Sequence, residues 1–229
     1  MIRGTRAEFE ALADYILRDY LHENYEKPYP VDIADFATNY LNMKIVFTTF
    51  PKGSDILGMR QYNYIILNKV LDCPERTGIR NFTIAHECAH EVINWQEEGY
   101  QPIQMPDFRV PHPPKQLVTE DDFREWQANV VAAYLLMRPT LVRWALFTFC
   151  RAETITVFGE SLIYKNELCG LWEVTKFLGV SKEALIIRLR QLGLIEARPY
   201  EEYDPIADIP LDWRWFEHAK ANRIRSSVY

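Results

Sequence analysis

Apolar residues near the start of the chain recur in a helical rhythm. Phe9, Leu12, Ala13, Ile16, Leu17 and Tyr20 fall three or four apart among acids and arginines. That spacing predicts an amphipathic helix with one buried stripe. "KPYPVDIADFATNYLN" repeats the pattern: Asp32, behind Pro30, is placed to cap a helix whose stripe is Ile33, Phe36, Ala37, Tyr40 and Leu41. The rhythm then changes. "KIVFTTF" and "ILGMRQYNYIILN", separated by the turn-like "PKGSD", are rich in β-branched and aromatic residues and read as two or three short strands of a small antiparallel sheet. "RTGIRNFTIAHECAHEVINW" returns to helical spacing for about five turns, with Phe82, Ala85, Ala89, Val92 and Ile93 on its apolar face.

Periodicity stops over residues 96–118, which hold five of the 13 prolines. So long a connection inside a compact domain is either functional, such as a lid over a site, or disordered. Thr119 and Asp122 then form a capping-box pattern for a helix that runs toward Pro139. From about residue 140 the chain reads as helical again. "LWEVTKFLGVSKEALIIRLRQLGLI" has a helix, a turn at Gly179, a Ser181 cap, a second helix and Gly193 as a stop, the layout of a helix-turn-helix. The expected organisation is a first domain over 1–139 and a helical module with a tail over 140–229.

Composition narrows the function classes. The chain has 229 residues, a net charge of −6 and 48% hydrophobic residues, enough for a sizeable core. An acidic protein is repelled by phosphate backbones unless it carries a local basic patch. Residues 171–198 hold five basic and three acidic residues, a thin footprint for a reader of DNA, so a packing or partner-docking role is favoured for this module. No apolar run reaches the length of a membrane span, and the N-terminal stretch lacks the apolar core of a secretory signal. Cys73, Cys88, Cys150 and Cys169 form no CxxC pair and read as reduced thiols, so the expected compartment is the cytoplasm.

The chemistry concentrates in "AHECAH". His86 and His90, four apart, share a helix face and can point two imidazoles at one ion. Glu87, about 100° around the helix, can stand beside the ion without binding it. Cys88, about 200° from His86, should face the core. Catalytic zinc takes three protein donors and leaves one position open for a water that it acidifies. Glu125 is the candidate third donor; by its own surroundings it could equally be a solvated glutamate beside Asp121, Asp122 and Arg124. Asn129, one turn on, is placed to hydrogen-bond a ligand. Tyr100 and His112, in the proline-rich connection, are weak candidates for an oxyanion donor.

"FTIAHECAH" followed after a loop by "EWQANVVAAYLLM" resembles the ImmA/IrrE family of zinc-dependent metallopeptidases. In that family the histidine pair and the glutamate of an E-x-x-A-N segment bind the metal, which corresponds to His86, His90 and Glu125, with Glu87 as general base. The "YNYIILN" stretch and the downstream helix-turn-helix are similar to the family's pattern too, so the resemblance spans roughly residues 30–196. Two positions depart from it: Ala89 stands where glycine is frequent, and Arg138 interrupts the usual Leu-Leu-Met-Pro. The layout is closer to the ImmA type, because little chain follows the helix-turn-helix.

The resemblance implies an α+β fold, with a mainly helical zincin-like core followed by a helix-turn-helix-like module. It also implies an endopeptidase using zinc, with manganese tolerated by the same ligands, that cuts a helix-turn-helix repressor to derepress mobile-element or stress genes. The alternative is a DNA-binding regulator or antitoxin-type docking protein whose metal is structural.

Overall fold

The computed structural model describes residues 4–51, 56–97 and 119–208, with backbone alone at 96 and 97. The fold is mixed α+β. It divides into two compact units, Met1–Arg138 with Leu178–Ser181, and Pro139–Phe177 with Lys182–Tyr229. The first break falls one residue from the boundary expected at 139. The short Leu178–Ser181 link, expected in the second module, groups with the first unit instead.

In the first unit, α1 (Arg6–Leu21) opens with a reciprocal capping box between Thr5 and Glu8. It buries Phe9, Leu12, Ala13, Ile16 and Leu17, and the four larger side chains each contribute about 1.5–3 kcal/mol relative to exposure. A short helical turn, α2 (Ile33–Asp35), is capped by the Asp32 side chain on the amides of Ala34 and Asp35, and widens into a π-turn over Phe36–Tyr40. Three strands follow, β1 (Lys44–Thr48), β2 (Gly58–Gln61) and β3 (Tyr64–Asn68).

Their order is β1-β3-β2, with β1 parallel and β2 antiparallel to β3. The sheet is therefore mixed, and the antiparallel expectation holds for one pair only. Tyr62 and Asn63 leave room for nothing but a tight hairpin between β2 and β3, and Tyr62 takes the left-handed conformation (φ 54°) that such a turn demands. The longer 49–57 connection lets β1 cross to the far side of β3.

Two long helices complete the unit, α3 (Thr77–Glu97) and α4 (Glu120–Leu136). α4 begins with the capping box of Thr119 and Asp122 and packs against both α1 and α3. α3 and α4 both carry small buried residues, Ala85, Cys88 and Ala89 on one and Ala128 and Ala132 on the other. Small residues let the two backbones approach closely, which brings side chains at the seam's edge within reach of one another.

The second unit contains α5 (Pro139–Ala145) with a π-turn over Leu146–Cys150, β4 (Ile155–Phe158), α6 (Lys165–Leu178), α7 (Lys182–Gln191) and β5 (Ile195–Arg198). β4 and β5 pair in parallel, a correction to the all-helical expectation. Each is four residues long, and the partners are about forty residues apart, so neither shows a periodic signal of its own. Gly179 and Gly193 hold φ of 63° and 65°, the left-handed values that end α6 and α7 without a Cβ penalty. Among the described residues, no single helix is long and apolar enough to cross a bilayer.

Candidate metal centre

α3 and α4 bring the three expected donors together. His86 Nε2 lies 3.0 Å from Glu125 Oε2, His90 Nε2 lies 3.4 Å from Glu125 Oε1, and the two Nε2 atoms are 3.1 Å apart. A tetrahedral zinc at about 2.0–2.1 Å from each donor spaces its ligands by roughly 3.3 Å, so the triad has the dimensions of a binding site. The helices run antiparallel here: His86 stands level with Asn129, and Glu125 with the next turn of α3.

The two imidazoles are oriented toward the Glu125 carboxylate. Asn129 Oδ1, an acceptor only, lies 3.1 Å from His86 Nδ1; a proton on Nδ1 would leave the Nε2 lone pair facing the triad. Burial, with His86 beside it, pulls the His90 imidazole down to about 4, so at neutral pH that ring is uncharged and available as a donor. Asn129→Ala is expected to weaken zinc binding about 10- to 100-fold, read by competition with a chromophoric chelator, because it frees the His86 ring to rotate.

Glu87 is not one of the donors. It is 7% exposed and borders a cleft of about 600 Å³ that also contains His86, His90, Glu125 and Asn129. Burial pushes its carboxyl above the usual range and Glu125 adds to that, with His86 and Arg60 pulling the other way. Cys88 is fully buried, and desolvation pushes its thiol up, so it stays protonated and faces the core. Glu125 remains 59% exposed, so among the described residues nothing closes its side of the triad.

The cleft's other wall is β2, through Leu57, Gly58, Met59 and Arg60. Asn68 N donates to Leu57 O at 2.8 Å, so alternation along the hairpin turns the backbone groups of Gly58 and Arg60 away from β3, to an edge unpaired among the described residues. Gly58 is required by packing: a Cβ there would stand 2.4 Å from Thr83 Cγ2 on α3. Asn68, noted in the sequence only as part of a pattern, caps the following turn through Val70 N and donates to Ile56 O, fixing the segment that leads into β2. Arg60 pairs with Glu91, one residue past His90. Sequence reasoning missed this arginine, since nothing local ties a strand residue to a helix residue thirty positions away. Tyr100, His112 and the proposed proline-rich lid lie outside the described residues.

Comparison of the sequence with models of known protein families finds no match, and comparison with curated proteins finds none either.

Proposed function

We propose that this chain is a metal-dependent endopeptidase of the kind its motifs resemble, zincin-like in its first unit, acting in the cytoplasm on a helix-turn-helix repressor. The observation that carries the reading is the convergence of His86, His90 and Glu125 on one point of an open cleft with a buried carboxylate, Glu87, on the same wall. A structural ion, as the alternative of a DNA-binding regulator requires, calls for four closed donors. The group here offers three among the described residues, and its glutamate is exposed.

His86, His90 and Glu125 would hold the ion, zinc by preference for this donor set or manganese. A divalent cation there supplies Lewis acidity toward water and the scissile carbonyl. Glu87 takes the proton of the attacking water and hands it to the leaving amine. Asn129 keeps the His86 ring in register throughout. The free edge of β2 accepts the substrate as an added strand, its Gly58 and Arg60 backbone groups pairing with an extended peptide. An exposed, extended segment of a repressor meets that requirement. In the second unit, α6 and α7 have the order and glycine punctuation of a helix-turn-helix, and docking of the repressor is the role that fits their thin basic footprint.

The decisive experiment incubates the purified chain with a repressor encoded beside it, with and without a chelator. One defined cut, lost on chelation and restored by zinc, is the expected result. Cleavage indifferent to the chelator, or a purified protein that binds no metal, would sink the reading. Zinc at about 100 times its Kd should also stabilise the fold by about 2.7 kcal/mol, visible as a rise in Tm.

A further inference from the structure

Beside the triad lies a second hollow, of about 270 Å³, with a different chemistry. Arg60, Asn94, Asp121, Arg124 and Gln127 line it. It shares Arg60, His90 and Glu125 with the larger cleft, so the triad stands at the junction of the two. Successive residues of an extended peptide are about 3.3 Å apart. A peptide with its carbonyl at the triad therefore delivers an adjoining residue to this hollow.

The two guanidiniums are differently held. Arg60 donates through Nη1 to Glu91 Oε2, and Glu91 is itself fixed by Trp95 Nε1, 3.1 Å from its other oxygen. Arg60 Nε and Nη2 make no hydrogen bond among the described residues, and Arg124 makes no ion pair among them. Asp121 sits in the first turn of α4, where the helix N-terminus offsets its charge. Gln127 adds an amide that is almost fully buried. With both Glu125 oxygens turned to the imidazoles, the two guanidiniums and the Asn94 amide form a receptor for a planar anion.

We propose, on the basis of the peptidase reading above, that this hollow is a subsite for a carboxylate of the substrate, held by Arg124 and Arg60 next to the scissile bond. For an endopeptidase that carboxylate belongs to an acidic side chain; a peptide's own C-terminus beside the scissile bond would belong to a carboxypeptidase, and the test separates the two. The full chain carrying Glu87→Gln, supplied with zinc, is titrated with short labelled peptides and binding is read by fluorescence anisotropy. Glutamate is stepped along the peptide against glutamine at each position, and each peptide is made with a free and an amidated C-terminus.

The expected result is about tenfold tighter binding for glutamate at one position than for glutamine there, whereas a preference for the free C-terminus alone overturns the proposal. Arg124→Gln, a change at an exposed residue, should remove that preference, and Arg124→Lys should retain part of it. Equal binding of charged and neutral peptides, binding by none of them, or a preference that survives Arg124→Gln overturns the proposal. Hydrolysis by the unsubstituted chain is scored separately. An Arg124-dependent preference without any cutting removes the peptidase reading and leaves the subsite, whereas cutting without a charge preference does the reverse.

Discussion

Glu87→Gln is expected to leave zinc bound and to lower hydrolysis of the repressor about 10²- to 10⁴-fold, the usual contribution of a general base. Glutamine has the shape of glutamate and can still hydrogen-bond a water, but it cannot carry the water's proton to the leaving amine. Because Glu87 is not among the three donors, its replacement should not disturb the triad's spacing. Its burial and the neighbouring Glu125 hold it above the ordinary carboxylate range, which makes it a stronger base than an exposed glutamate. Elemental analysis of the purified variant measures the first half of the expectation, and the appearance rate of the repressor fragments measures the second. Full activity would remove Glu87 from the mechanism, whereas loss of the metal together with activity would make it a structural support of the ligands. Glu125→Gln gives the contrast, since it should lose both metal and hydrolysis.

Local signals made much of the first unit legible. The stripe from Phe9 to Leu17, the Asp32 cap and the Thr119–Asp122 box are written in consecutive residues, and each appears where its spacing demands. The donor group was half legible. His86 and His90 lie on one helix face by geometry alone, but Glu125 came from the resemblance, and only the approach of α4 to α3 carries it to the imidazoles.

What local pattern could not reveal was long-range. The parallel pairing of β1 with β3 and of β4 with β5 depends on crossovers that leave no periodic trace. Arg138, read as a departure from Leu-Leu-Met-Pro, has its reason in residues more than a hundred positions earlier. It is 2% exposed, donates to the carbonyls of Lys27 and Tyr29, and lies over the Tyr25 ring. A charged residue at the end of an apolar run is explicable only once that distant loop has folded against it.

The second large effect is expected at Asp14, where removal of one carboxylate undoes three hydrogen bonds. Tyr25 and Tyr134 both donate their hydroxyls to Oδ1, and Arg18 Nε donates to Oδ2 at 2.8 Å. Tyr134 belongs to α4, so this carboxylate ties α1 to the helix that presents Glu125 and Asn129. Asp14→Ala should cost about 2–3 kcal/mol, read from urea unfolding at neutral pH; partial exposure of the group keeps the figure below that of a fully buried pair. The effect is pH-dependent with a definite sign. Desolvation raises the Asp14 pKa, but the bonds from Tyr134, Tyr25 and Arg18 together outweigh it and hold the group below its ordinary value. A carboxylate with a lowered folded pKa contributes stability that is present above the unfolded value, about 3.9, and lost as pH falls through the folded one. The stability gap between the native chain and Asp14→Ala should therefore be constant near neutrality and narrow below about pH 4. Asp14→Asn, which keeps the acceptor but not the charge, should lose less at neutral pH and converge in the same acid range. A gap unchanged through that range would mean that the carboxylate's charge is not what binds α1 to α4.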